Sequence, residues 1–160
     1  MSLSTEQLEE QVRKLSELND FLTYRISKMG RLLEAEATLR LKGTGINLTT
    51  YRIMLVISIF EEITVSDLAR LLVIDRAQVS RLASDMTRKR LLTSKPERSN
   101  KLKKLLMLTE TGKVLCSELK TRFEGRTDLI AQHATEEELA MLVPLLDRIN
   151  TSLAERVEGA

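Results

Sequence analysis

The stretch from Ile63 to Gly112 limits what this chain can fold into more than any other part. Thr64 stands where a helix cap belongs, with Asp67 three positions on, near a helix's positive end. Val65, Leu68, Ala69 and Leu72 then mark a short apolar stripe, and the small Ala69 lets a following helix cross closely. Val73-Ile74-Asp75 supplies a turn, and Asp75 is placed to cap what comes next. From about Arg76 to Arg88, at roughly 100° per residue, Val79, Leu82, Ala83 and Met86 share one face. Ala77, Arg81, Ser84 and Arg88 share the opposite face, flanked by Gln78 and Ser80. Leu91 to Pro96 and Lys103 to Leu108 read as two short strands around the turn Glu97-Arg98-Ser99-Asn100-Lys101. Two short helices at a tight turn, followed by a basic hairpin, are the layout of a winged helix-turn-helix.

That layout carries a chemistry. A helix that is apolar on one side, with short polar groups and arginine on the other, suits insertion into a DNA groove. Groove-bound helices present their N-terminal residues to the bases. Glutamine can bridge adenine, arginine can bridge guanine, and serine or arginine can hold phosphate. The expected contact set on this helix is therefore Arg76, Ala77, Gln78, Ser80, Arg81, Ser84 and Arg88. Arg98, Lys101, Lys103 and Lys104 on the hairpin can reach backbone or minor groove. The plainer alternatives are an ordinary surface helix and a lysine-protected sheet edge. Charge favours the nucleic-acid reading. Between Asp75 and Lys104 ten Lys/Arg stand against three Asp/Glu, although the whole chain carries only +2. Positive charge gathered beside such a motif is the footprint of phosphate contact.

The flanking sequence predicts helices. Leu8, Val12, Leu15, Leu18, Leu22, Ile26, Met29 and Leu33 form one stripe, so Thr5 to about Leu41 is expected as a single long helix ended by Gly43-Thr44-Gly45. A helix of that length projects beyond a small domain and needs another partner for its stripe, such as a second subunit. Leu48 to Glu61, capped by Thr49 or Thr50, is apolar nearly all round and is expected to be the buried helix, with Tyr51 filling core. Thr109 caps a helix with stripe Val114, Leu115, Leu119 and Phe123, running past Gly125 to about Gln132. Thr135 and Glu138 form a capping box for a last helix carrying Leu139, Leu142, Val143, Leu146, Ile149, Leu153 and Val157. Pro144 is expected to kink or split it. The two terminal striped helices are the dimerisation candidates; an intramolecular bundle is the alternative. The fold class is thus mainly α with a small β-hairpin, one domain over residues 1–160. Within it, 5–47 is the N-terminal dimerisation helix, 48–108 the winged helix-turn-helix, and 109–160 the C-terminal helices that add to dimerisation.

Composition excludes several classes. At 3% aromatic residues and no tryptophan, the core must be aliphatic. One cysteine, Cys116, forms no internal disulfide, and its apolar neighbours Leu115 and Leu119 suit inert core better than a redox sensor. No metal-type Cys/His cluster, Gly-rich phosphate loop or catalytic constellation stands out: His133 falls at a helix junction, and Glu136 to Glu138 belong to the cap. Neither an enzyme nor a cofactor or metal is expected. No signal peptide and no membrane-length apolar run is read, so a cytoplasmic location without membrane contact is expected.

Asp67-Leu68-Ala69, Val79-Ser80-Arg81 and Leu108-Thr109-Glu110-Thr111-Gly112, in this order and spacing, resemble the MarR family of bacterial transcription regulators. The resemblance covers most of the chain in element order. It implies a homodimeric repressor or activator on a pseudo-palindromic double-stranded operator, with DNA affinity altered by a small, often aromatic, ligand or an oxidant. The pocket lining is not legible. Two features depart from the family pattern. Its wing carries Asp-x-Arg where this chain has Asn100 and Leu102, which leaves Lys101, Lys103 or Arg98 to substitute for the arginine, with Asn100 beside them in the expected wing contact set. Arg90 stands where glycine is common, so the chain is expected to leave the second motif helix differently. A winged-helix module that docks protein, without sequence-specific DNA binding, is the alternative function.

Overall fold

A computed structural model describes residues 10, 13–14, 17–97 and 103–158. The chain divides into two compact units, 1–122 and 123–160.

The first unit opens with helical residues up to Asn19, then breaks at Asp20-Phe21 and resumes as α1, Leu22–Arg40. The single helix expected from Thr5 to Leu41 is thus interrupted. Its break falls at Asn19-Asp20, residues whose short polar side chains compete with helical hydrogen bonding. Tight bonds from the Asp20 and Phe21 amides to the Glu17 and Leu18 carbonyls close one turn, and the Arg25 guanidinium donates to the freed Asn19 carbonyl. Of the expected stripe, Leu8, Val12 and Leu15 lie outside the described residues.

Helix α2, Leu48–Phe60, is the hub. It packs against α1, the helix-turn-helix, the sheet and the helix after the wing. Asn47, not Thr49 or Thr50, caps it: its side chain accepts from the Thr50 amide at 2.8 Å. Asparagine ranks above threonine as a cap, and Thr50 is spent in the interior. Tyr51, Ile53, Met54 and Ile57 are buried as expected, whereas Ile59 and Phe60 at the last turn are exposed.

Strand β1, Ile63–Thr64, leads into α3, Val65–Leu72, and α4, Arg76–Arg88. Strands β2, Leu92–Pro96, and β3, Lys104–Leu108, form the hairpin. The sheet is antiparallel with order β1-β3-β2, pairing Ile63 with Leu106 and Leu92 with Leu108. The expected hairpin is therefore present, and the two residues of β1 add a third strand that sequence pattern did not show. Burial of Leu68, Ile63, Leu92, Leu106 and Leu108 seats the motif on α2.

Helix α5, Glu110–Thr121, ends near Gly125 rather than running to Gln132. Its buried face is Gly112, Cys116 and Leu119, while the expected core residue Val114 is exposed. Thr109 caps it, accepting from the Gly112 amide at 3.0 Å. The same hydroxyl donates to the Arg90 carbonyl at 2.6 Å, and the Thr109 amide donates to the Leu91 carbonyl at 3.0 Å. This ties the end of the wing to its beginning. Only glycine fits at position 112, because a Cβ there would lie 2.1 Å from the Leu91 carbonyl oxygen. Arg40 and Arg122 close the other end of the unit by trading caps. Each guanidinium donates to the other's backbone carbonyl, at 2.8 and 3.1 Å, placing a cation at each helix C-terminus.

The second unit holds a short α6, Asp128–Ala131, and the long α7, Glu136–Glu158. The capping box forms as expected: the Thr135 amide donates to Glu138 Oε2 at 2.8 Å, and the Glu138 amide to Thr135 Oγ1 at 3.2 Å. Pro144 lies inside α7 without splitting it. Met141, Val143, Leu145, Leu153 and Val157 of α7 are exposed.

The packing at Gly112 yields a prediction. Gly112→Ala must push the helix off the Leu91 carbonyl, which should cost about 1–3 kcal/mol. A urea unfolding midpoint equal to that of the unaltered protein would refute this close approach.

Candidate nucleic-acid interface

Helix α4 is built to show one face. Val79, Ala83 and Met86 are buried, and Leu82 is half-buried, so the apolar side is anchored inward against α3 and β2. Burying each large side chain contributes about 1.5–3 kcal/mol, enough to hold a helix of this length that would be marginal alone. Asp75 caps the N-terminus, accepting from the Gln78 amide at 3.0 Å. Thr64 does the same for α3, accepting from the Asp67 amide at 3.1 Å while its hydroxyl donates to the Asp67 carboxylate at 2.6 Å.

Arg76, Ala77, Gln78, Ser80, Arg81, Ser84 and Arg88 are all exposed. They are not chemically equivalent. Arg88 is held by Asp85 one turn back, and the Ser84 hydroxyl donates to the Ser80 carbonyl at 2.9 Å. Arg76, Gln78 and Arg81 make no side-chain hydrogen bond or ion pair among the described residues, so their donors are free for another molecule. All three belong to the first half of the helix. The contact set read from sequence therefore sorts into an uncommitted N-terminal group and a partly committed C-terminal one.

On the wing, Arg98, Asn100 and Lys101 lie outside the described residues. Lys103 and Lys104 are exposed at the start of β3. Lys95 on β2 is paired with Glu62. Sequence reasoning left Lys89 and Arg90 out of the basic set, although both are exposed beside Arg88. The run Arg88-Lys89-Arg90 was the available signal.

Both motif helices end in the same way. The Ile74 amide donates to the Ala69 carbonyl and the Val73 amide to the Arg70 carbonyl; the Leu91 amide donates to Met86 and the Arg90 amide to Thr87. Each is a Schellman closure, which requires a left-handed residue. Val73 at φ 53° and Arg90 at φ 58° fill that place. The expectation that Arg90 would change the exit from α4 is thus corrected. The backbone takes the glycine-like conformation anyway, and the side chain bears the strain.

Residues 44–101 match the family model described as MarR family. Over that segment, from the turn before α2 to the wing, the chain is similar to this family. Among curated proteins none matches it by sequence. Solved MarR-family structures share the fold. A putative MarR family transcriptional regulator from Listeria monocytogenes, complexed with a 26mer DNA, is 24% identical with a TM-score of 0.77, covering 85% of this chain and 91% of that one. A mutant MarR from E. coli with operator DNA is 19% identical with a TM-score of 0.71, covering 80% and 92%. CouR from Rhodococcus jostii RHA1, bound to p-coumaroyl-CoA, is 19% identical with a TM-score of 0.73, covering 86% and 94%. Among the described residues no helix is long and apolar enough to cross a membrane.

Arg90 gives the test of this geometry. Arg90→Gly removes a left-handed penalty of about 1–2 kcal/mol, offset in part by about 0.5–1 kcal/mol from the greater entropy of the unfolded glycine chain. The variant should melt higher than the unaltered protein; a lower melting temperature would show that Arg90 is not strained.

Proposed function

We propose that this chain is a DNA-binding transcription regulator of the MarR family that acts as a homodimer on a pseudo-palindromic operator. The carrying observation is the division of α4: an interior face of Val79, Ala83 and Met86, and an exposed face on which Arg76, Gln78 and Arg81 hold uncommitted donors. In this reading the N-terminal half of α4 enters the major groove. Arg81 and Gln78 face base edges, where their paired donors and acceptors match guanine and adenine. Arg76 and Ser80 hold phosphate, Ala77 gives an apolar contact, and Ser84 and Arg88 sit at the far rim. Lys103 and Lys104, with Arg98, Asn100 and Lys101, serve the backbone beside the groove. The DNA complexes of the L. monocytogenes and E. coli relatives support the reading.

Dimerisation is argued from unburied apolar surface. Phe21, Leu22, Ile26, Met29 and Leu32 of the first unit are exposed, as are Met141, Val143, Leu145, Leu153 and Val157 of the second. Surface of this kind on a water-soluble regulator is covered by association. Paired copies would set two α4 helices about one turn of DNA, roughly 34 Å, apart. The CouR complex supports regulation by a small ligand, and a cytoplasmic site of action follows from this role.

Arg81→Ala should weaken operator binding by about 1–3 kcal/mol while leaving dimer mass and melting temperature unchanged. Fluorescence anisotropy across a salt series checks both parts, because affinity should fall steeply with salt. Unchanged affinity would remove Arg81 from the interface.

A further inference from the structure

A groove of ≈ 530 Å³ runs between the last turn of α2, strand β3 and helix α5. It falls within the first unit and away from α4. Its size lies inside the range of about 300–1,000 Å³ typical of small-molecule sites. The floor is apolar, with Ile57, Leu108 and Cys116, and the walls carry Glu61, Glu62, Lys113 and Lys120.

These four charges differ in what they already hold. Glu62 is paired with Lys95. Lys113 donates to Glu110 at 2.7 Å, and that carboxylate, with Glu61 acting through space, holds the ammonium charged above its ordinary range. Two groups make no hydrogen bond. The Glu61 carboxylate accepts no hydrogen bond, and the Lys120 ammonium has neither hydrogen bond nor ion pair, among the described residues. Glu61 is also strained into place. At φ 63° and ψ −48° it is the centre of a positive-φ γ-turn, closed by the Glu62 amide donating to the Phe60 carbonyl at 2.7 Å. Such turns are rare and cost free energy.

The two charges are opposite in sign and both line the groove. Glu61 acts on Lys113, and Lys113 and Lys120 are two turns apart on α5, about 10 Å along its axis. A simple organic acid would satisfy Lys120 and lay an apolar body against a carboxylate that accepts no hydrogen bond, while a simple amine would leave the Lys120 ammonium without a partner. A linear zwitterion with an apolar body answers both.

We propose that this groove binds a short, free-ended apolar peptide of two or three residues, its ammonium on Glu61, its carboxylate on Lys120 and its side chains on the Ile57–Leu108–Cys116 floor. An extended residue spans about 3.3–3.6 Å, so two or three residues set their two ends roughly 7–11 Å apart, comparable to the spacing of Lys113 and Lys120 along α5. The site stands without the DNA reading, since binding is measured with no DNA present.

The test is backbone-amide NMR of the full chain titrated with Leu-Leu, with N-acetyl-Leu-Leu, Leu-Leu-amide and benzoate as comparisons. Leu-Leu should shift the amides around Glu61, Cys116 and Lys120, and blocking either end should weaken binding at least tenfold. Glu61→Gln should erase the difference between Leu-Leu and its acetylated form. Lys120→Gln should erase the difference between Leu-Leu and its amide. Unchanged melting temperatures and spectra elsewhere would show that both variants fold. No shift at the groove with millimolar Leu-Leu would overturn the proposal, as would equal binding of the acetylated peptide or tighter binding of benzoate.

Discussion

The structure depends on burying one face of a helix too short to stand alone. Helix α4 has 13 residues, about the length at which an isolated helix is marginal in water. Val79, Ala83 and Met86 fix its rotation as well as its stability, because turning it by one residue would swing them out by about 100°. Once that face is set inward, Arg76, Gln78 and Arg81 point outward by geometry alone. Stability and display are one choice made by one stripe.

Around that helix the backbone is drawn unusually close. The Arg90 and Leu91 carbonyls serve Thr109, and Gly112 leaves room for the approach. The start of the wing, its end and the first turn of α5 therefore share one set of bonds, which makes the wing an extension of the core. Two left-handed non-glycine residues, Val73 and Arg90, close the motif helices at some cost. The chain accepts local strain where the geometry of the motif demands it.

Much of this was legible in sequence where the signal is local. The caps at Thr64, Asp75, Thr109 and Thr135, the bounds of α4 and the hairpin all follow from side-chain chemistry within a few residues. What was missed depends on competition or on distant partners. The long first helix breaks because Asn19-Asp20 outweighs an unbroken apolar stripe, and Asn47 takes a cap assigned to its neighbours. Helix α5 stops at Thr121 and leaves Val114 exposed, because its register is set by Gly112 against Leu91. Strand β1 is too short for a periodic signal and exists only because β3 lies beside it. Within the candidate interface, residue types were readable, but which donors are spent was not: the Arg88–Asp85 pair and the Ser84–Ser80 bond need coordinates.

The central claim is that α4 displays a base-reading face and that two copies present it together. Selection of bound sequences from a random DNA pool tests it most directly. The account predicts a two-fold symmetric consensus whose half-sites are centred about 10 base pairs apart, with the enriched bases lost or relaxed for Arg81→Ala. Enrichment of no sequence, or of an asymmetric one indifferent to Arg81, would contradict it.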